Sequence, residues 1–170
     1  MKYFIYTDGS SRGNPGAAGW AAVIMDEINV REYNGRFENA TNNQMEIYAV
    51  LFSLTFILAN LNENDSVEIW SDSEYTVKGC NDWVFNWSKN NWKNSQKKEV
   101  LNKDLWQTIL KTISDLKYKN INFSIKHLRG HQGHIYNERA DVLCVAAALE
   151  QDIELYKGNM TDYKDLLHKS

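Results

Sequence analysis

The sequence predicts an α/β domain built on five strands, and three observations predict it. Residues 3–8, 19–25 and 30–37 are β-branched, aromatic or apolar runs joined by short turns, the pattern of an antiparallel meander. A long helical pattern over about 43–60 separates this meander from a fourth strand at 67–72, so the fourth strand returns parallel to the first through a crossover. Strands one and four each end on a carboxylate, Asp8 and Asp72. Parallel pairing sets the two side by side at the sheet edge where open α/β sheets bind ligands.

The chain of 170 residues is long enough for one domain with a real core. Hydrophobic content of 43% and charged content of 24% are ordinary for a soluble globular protein. There is no bilayer-length apolar run and no secretory leader pattern, so no membrane association is expected, and the expected compartment is the cytoplasm. Met1 stands directly before the first strand, and no second module is expected ahead of it. Cys80 and Cys144 match no zinc or redox spacing. Two free thiols in a reducing cytosol are the default, with a disulfide between them left open. The net charge of −3 gives no global sign of nucleic-acid binding, so such binding would need a local basic patch.

The first strand, Tyr3 to Thr7, ends on Asp8 and opens into a loop containing Gly9, Gly13, Pro15 and Gly16. A carboxylate there either helps to hold a cation or caps the turn through nearby amides; an unpaired buried charge would be costly. The second strand follows at Gly19–Met25 and the third at Val30–Phe37, where Asn34-Gly35 signals a bulge or an early end. Capping residues Asn39 to Asn43 then introduce the helix. Its expected buried face carries Met45, Ala49, Phe52 and Phe56, widened by Tyr48, Leu51 and Leu58. Glu46 is expected in its first turn, where the helix dipole favours an acid.

After Asp72 a helical stretch over Tyr75–Cys80 leads into a segment where Trp83, Trp87 and Trp92 interleave with Lys89, Lys93, Lys97 and Lys98. Aromatics at helical spacing are ordinarily core, but the lysines make this a basic protrusion of the kind that meets a phosphate backbone. A helix over Asp104–Leu116 is expected to bury Leu105, Ile109, Ile113 and Leu116. The fifth strand, Ile121–Leu128, runs into the Gly- and His-rich loop Arg129–His134, whose histidines are more suited to function than to packing. His127, His131, His134 and Cys144 are zinc-ligand types at no standard zinc spacing. Asn137 is expected to cap the last core helix, with Asp141 an early acid on it, running through Val142, Val145, Ala146 and Leu149. From Gln151 the periodicity weakens, so residues 151–170 read as a tail, a loose helix or partly disordered.

Four motifs thus stand in one order: Thr7-Asp8-Gly9-Ser10 with Gly13-Asn14-Pro15-Gly16; Thr41-Asn42-Asn43-Gln44-Met45-Glu46; Ser71-Asp72-Ser73-Glu74-Tyr75; and Gly130-His131-Gln132-Gly133-His134 with Asn137-Glu138-Arg139-Ala140-Asp141. Over residues 1–149 this order resembles type 1 ribonuclease H of the bacterial kind, with the 83–98 segment resembling the basic handle that some members carry. The resemblance implies a mixed five-stranded sheet, antiparallel over strands 1-2-3 and parallel over 1-4-5, flanked by helices. It implies a catalytic domain over 1–150, with 151–170 outside it.

The implied activity is endonucleolytic hydrolysis of the RNA strand of RNA/DNA hybrids, leaving 3′-OH and 5′-phosphate ends. By resemblance, Asp8, Glu46, Asp72 and Asp141 are the metal-binding carboxylates and His131 is the loop histidine of the catalytic set. Two Mg²⁺ ions, with Mn²⁺ a possible substitute, suit an all-oxygen set and phosphodiester hydrolysis. Mutual repulsion predicts raised carboxylate pKa values without metal. Gly9, Ser10, Ser11, Asn14, Thr41, Asn42, Asn43 and Gln44 are the implied substrate contacts, with short amides suited to 2′-OH groups and base edges. Trp83, Trp87, Lys89, Trp92, Lys93, Lys97 and Lys98 would hold the DNA strand. The expected partner is the hybrid alone, and the expected state a monomer. Two departures stand out: Glu74 adds charge beside Asp72, and Asn39 and Ala40, with no arginine, stand just before Thr41. The competing readings are another nuclease on the same sheet and a non-catalytic hybrid-binding module.

Overall fold

The computed structural model describes residues 1–129 and 134–169. In chain order the elements are β1 (Lys2–Ser11), β2 (Gly16–Met25), β3 (Asn29–Ala40), α1 (Asn42–Asn60), β4 (Ser66–Ser71), α2 (Glu74–Lys78), a π-helical turn (Gly79–Trp83), α3 (Val84–Lys89), α4 (Lys103–Tyr118), β5 (Asn122–His127), α5 (Ile135–Ala148), β6 (Lys157–Asn159) and α6 (Met160–Lys169). Among the described residues they form one sheet of order β5-β4-β1-β2-β3-β6. β1 pairs antiparallel with β2 and parallel with β4, and β4 pairs parallel with β5. The expected mixed topology is present, with six strands in place of five. No described helix is long and apolar enough to cross a membrane.

The central strands are covered on both faces, and their two-residue period sorts the core into two layers. Ile5, Ala22, Ile24, Val67, Ile69 and Ile125 join Ile47, Val50, Leu54 and Ile57 of α1 and Trp106, Ile109, Ile113 and Leu116 of α4. Tyr6, Ala21, Val23, Met25 and Val30 join Leu143 and Cys144 of α5 and Tyr163 and Leu167 of α6. Cys80 and Cys144 sit in these separate layers, both buried and both free.

Several expectations are corrected. The innermost face of α1 is Ile47, Val50, Leu54 and Ile57, while Phe52 and Phe56 are only half-buried, because an almost uniformly apolar helix gives no periodic contrast. On α4 Ile109, Ile113 and Leu116 are buried as expected, but Trp106 is fully buried in place of Leu105, which is only partly buried. Asn34-Gly35 neither ends nor bulges β3, since Gly35 stays paired with Trp20; the register shift lies further along, where β3 between Phe37 and Ala40 has one residue more than β2 between Gly16 and Ala18. Asn137 does not cap α5: the helix starts at Ile135 after His134, and Asn137 is buried inside its first turn.

Residues 157–169 form regular structure, a strand and a helix. β6 pairs antiparallel with β3 through Asn29–Asn159, Val30–Gly158 and Arg31–Lys157, and α6 buries Tyr163 completely. Three strand residues are too few to show a period, so this docking was invisible in the pattern. The same segment closes over Glu32, which alternation places on the inner side with Val30. The Glu32 N–H donates to the Tyr156 carbonyl at 2.9 Å, and the Glu32 carboxylate accepts from the Tyr156 N–H at 3.0 Å.

Candidate active site

The site lies at the C-terminal edge of β1 and β4. Thr7 pairs with Ser71, so the next residues, Asp8 and Asp72, emerge as neighbours. Asp8 is 6% exposed and accepts a 2.9 Å hydrogen bond from the Gly9 N–H. Asp72 is held by its backbone, whose carbonyl lies 3.2 Å from His127 Nε2. Ser73 caps α2 by accepting from the Thr76 N–H at 3.2 Å, which sets the turn just after Asp72.

Glu46 comes from the other layer. α1 starts at Asn42 with a capping box: Thr41 Oγ1 accepts from the Gln44 N–H at 3.1 Å, and the Thr41 N–H donates to Gln44 Oε1 at 2.9 Å. Glu46 therefore sits in the second turn, not the first, and the dipole explanation for it falls away. Its approach to Asp8 depends on Gly9, where a Cβ would stand 2.4 Å from the Glu46 backbone nitrogen. Ligand oxygens of Asp8, Glu46 and Asp72 lie within 4.8 Å of one another.

Asp141 arrives on α5. The helix rides close on β2 at Gly19, where a Cβ would meet the Cys144 carbonyl at 2.1 Å. A second group of donors within 4.8 Å of one another is formed by Asp8, Asp141 and Cys144. All four expected carboxylates thus converge, with Asp8 common to both groups. His131 lies outside the described residues.

Burial and like charge act on this cluster together. Asp8 is pushed up to about 7, first by burial and then by Asp72, with the Gly9 N–H and a hydrogen bond shared with Glu46 pulling the other way. Glu46 is raised well above the usual carboxylate range by burial, Asp8 and Asp72. Glu46 Oε2 is buried with no hydrogen-bond partner among the described residues. An oxygen-rich, electron-rich cluster with an orphaned buried oxygen fits a hard divalent cation. Glu74 does not add to the crowding, because it is exposed and paired with Lys78 at 2.7 Å.

The expected substrate contacts converge beside the carboxylates. The Ser11 N–H donates to Asn42 Oδ1 at 2.6 Å, the Asn42 N–H to Asn14 Oδ1 at 3.1 Å, and Ser11 Oγ to the Ala40 carbonyl at 2.7 Å. Gly9, Ser10 and Ser11 form the end of β1 against this mesh, and Asn43 is exposed at the start of α1. Thr41 and Gln44 are tied up in the capping box, so their first role is to fix that start.

The basic segment is built on an aromatic ladder. Trp87 meets the buried Trp106 at 5.5 Å between ring centroids, Trp83 meets Trp87 at 5.8 Å, and Tyr75 touches both Trp83 and Trp106 at 5.8 Å. Trp87 and Trp92 are half-buried against the core, so they anchor the protrusion as well as face outward. A groove of about 860 Å³ is lined by Trp83, Asn86, Trp87, Asn90, Lys93 and Lys97 among others. Lys89 and Lys98 are exposed nearby on the same segment.

Two features escaped the sequence reading. One is the ion pair of Arg139 with Glu32, legible only as a charged residue in a buried alternation position of β3. The other is the place of Cys144 beside Asp8 and Asp141, which its helical distance of three from Asp141 could have signalled.

The RNase H family model matches residues 1–149. A ribonuclease H from Polynucleobacter asymbioticus is 42% identical over 139 residues, covering 82% of this chain and 84% of its own. One from Geotalea uraniireducens is 39% identical over 158 residues, covering 93% and 98%. Among solved structures, LC11-RNase H1 in complex with an RNA/DNA hybrid is similar at 28% identity and a TM-score of 0.62, covering 87% of this chain and 97% of that one.

Proposed function

The chain belongs to the ribonuclease H family, and on that premise we propose that it hydrolyses the RNA strand of RNA/DNA hybrids as a metal-dependent endonuclease, leaving 3′-OH and 5′-phosphate ends. The observation that supports this is the convergence of four carboxylates through Asp8, next to the mesh of Ser11, Asn14 and Asn42. Mg²⁺ is the cation proposed, with Mn²⁺ as a substitute. Asp8, Glu46, Asp72 and Asp141 would hold it. Bound there, a pair of such ions would polarise the scissile phosphate and activate water.

The chain's own residues do the rest. Asp8 and Glu46 are kept from ionising together by burial and mutual repulsion, so the metal-free site is a poised acceptor for positive charge. Asn14, Asn42, Asn43 and Ser11 offer short donors and acceptors to 2′-OH groups and base edges, which distinguishes RNA from DNA in a shallow minor groove. Thr41 and Gln44 set the start of α1 at which those groups are displayed. Lys89, Lys93, Lys97 and Lys98, with the outward faces of Trp83, Trp87 and Trp92, would hold the DNA strand by charge and stacking. His131 is assigned a proton relay or product-release role.

We assign catalysis to residues 1–150 and an accessory, bracing role to 151–170. The setting proposed is a monomer in a reducing cytoplasm, which suits two buried free thiols. Cleavage of a labelled hybrid with Mg²⁺, beside single-stranded RNA, duplex RNA and duplex DNA, tests the reading on the wild type and Asp8→Asn. Cleavage of hybrid RNA alone, lost in the variant while hybrid binding persists, is the expected result. Binding without cleavage under both Mg²⁺ and Mn²⁺ would make the protein a hybrid reader, and cleavage of DNA would make it a different nuclease.

A further inference from the structure

The place of Asp141 depends on where α5 sits. Its side chain is exposed and, among the described residues, makes no hydrogen bond or ion pair that would hold it. Yet one of its carboxylate oxygens lies within 4.8 Å of one of Asp8. After Asp141, α5 is fixed to β2 at Gly19, where a Cβ would meet the Cys144 carbonyl at 2.1 Å. A helix held at that point alone can still tilt about it. The hold before Asp141 comes from two side chains. Arg139, two residues earlier, forks onto the buried Glu32 of β3 at 2.7 and 3.0 Å. Tyr136, in the first turn, stacks on Tyr163 of α6 with ring centroids 6.2 Å apart and planes at 15°, and its hydroxyl donates to Met160 Sδ at 3.9 Å.

Both holds lead to the segment that follows α5. The Glu32 N–H donates to the Tyr156 carbonyl, and the Tyr156 N–H donates to Glu32 Oε2. The rings of Tyr156 and Tyr163 meet at 4.8 Å, and Tyr163 is completely buried. Core filling alone accounts for the buried ring. It does not account for the polar contacts of Tyr156 being gathered on Glu32, the residue that grips α5 next to Asp141. This segment lies beyond residues 1–149, which carry the family match.

We propose that Tyr156 and Tyr163, acting through Glu32, Arg139 and Tyr136, are positioning residues for the reaction: they lock the first two turns of α5 and so set the reach of Asp141 toward Asp8. The proposal rests on the reading of Asp141 as a cation ligand. Glu32 is pinned on both oxygens, Oε1 by Arg139 Nε and Oε2 by Arg139 Nη2 and the Tyr156 N–H. The fork therefore closes on a carboxylate that cannot turn. A planar guanidinium fixes direction as well as distance, which an ammonium does not. Loss of a group that orients a metal ligand costs about 10–100-fold in metal affinity or activity.

The test uses the full chain and reads Mg²⁺ affinity by calorimetry, with kcat and KM on the hybrid, at a temperature where circular dichroism shows each variant folded. Arg139→Lys keeps a charge beside Glu32 but breaks the fork. Tyr163→Leu keeps the position apolar but removes the stack. Each should weaken Mg²⁺ binding by about 10-fold and lower kcat at limiting Mg²⁺, with hybrid KM unchanged. Tyr163→Phe, which keeps the stack, should bind Mg²⁺ as the wild type does. Asp141→Asn should weaken Mg²⁺ binding by itself, and adding Arg139→Lys or Tyr163→Leu to it should change nothing further, because the effect runs through Asp141. Folded variants with wild-type Mg²⁺ affinity and only a lower melting temperature would overturn the proposal, as would losses that add in full to that of Asp141→Asn. If one of the two variants does not fold, the other decides through the same cycle. Asp141→Asn with wild-type Mg²⁺ affinity would instead remove the reading of Asp141 as a ligand on which the proposal rests.

Discussion

Gly9 and Glu46 touch through backbone: a Cβ on Gly9 would stand 2.4 Å from the Glu46 nitrogen and 2.7 Å from Met45 Cβ. β1 and α1 are therefore in contact at the residue that follows Asp8, and this contact delivers a carboxylate from one core layer to a strand end that faces the other. Gly9→Ala must push the first turns of α1 away, because a backbone neighbour cannot rotate aside. A misplacement of about 1 Å at a reacting centre costs on the order of 100-fold. We expect hybrid cleavage to fall by about that factor and Mg²⁺ affinity to fall with it, measured by initial rates and calorimetry. Unchanged Mg²⁺ affinity would mean that Glu46 is not a ligand.

Asp8 gives the metal-free protein a specific pH dependence. Its folded pKa, pushed up to about 7, lies above the unfolded value of about 3.9. Native protein therefore holds the proton more tightly than unfolded protein. The associated stability is fully present below about pH 4 and is lost as pH rises toward about 7. Thermal unfolding in chelator should show a falling melting temperature across that window, and Mg²⁺ should flatten the fall. Asp8→Asn should remove its share of the slope and raise the melting temperature in chelator near neutral pH. An Asp8→Asn protein with the wild-type slope would show that the penalty lies elsewhere.

Arg139 lays its guanidinium on the fully buried Glu32, Nε to Oε1 at 2.7 Å and Nη2 to Oε2 at 3.0 Å. Removing one partner strands a buried charge, a cost of about 3–5 kcal/mol. Arg139→Met, which leaves the buried Glu32 carboxylate without its cation, should therefore lower stability by about that amount in denaturant titrations. The double change Glu32→Leu with Arg139→Met should recover most of it. A double variant as unstable as the single one would show that the pair also orients its surroundings.

The basic protrusion should separate into two functions. Replacing Lys89, Lys93, Lys97 and Lys98 with alanine should weaken hybrid binding and reduce the salt slope by about one per lysine that meets a phosphate. Trp87→Ala should instead lower the melting temperature, because Trp87 is braced against buried Trp106. Fluorescence anisotropy across a salt series reads the first effect, and thermal unfolding the second. A salt slope unmoved by the lysine changes would place the DNA strand elsewhere.

Much of the site was legible because it is written locally. A strand followed by Asp and Gly, a run of capping residues before Glu46 and a second strand ending on Asp72 are each contained within a few residues. One crossover rule then joins Asp8 to Asp72. The direction of the pKa shifts followed as well, since like charges forced together must resist ionising. Other features were beyond such windows. The start of α1 at Asn42, which moves Glu46 out of the first turn, is a shift of a single residue that no periodicity resolves. The buried stripes of α1 and α4 were misassigned at Phe52, Phe56 and Leu105 because apolar side chains there outnumber the positions facing the sheet.

The sequence by itself determined the strand and helix types and the mixed sheet, and set Asp8 and Asp72 at neighbouring strand ends, since dihedral preferences, caps and short hydrophobic periods act within one element; Glu46 and Asp141 were singled out by the family resemblance alone. Only the tertiary structure decided that Glu32 meets Arg139 across 107 residues, that β6 extends the sheet beyond β3, and that Cys144 stands beside Asp8. Those relationships follow from how closely two layers approach on one sheet. That distance is set by the absence of a side chain at Gly9 and Gly19 and by packing summed over the whole core.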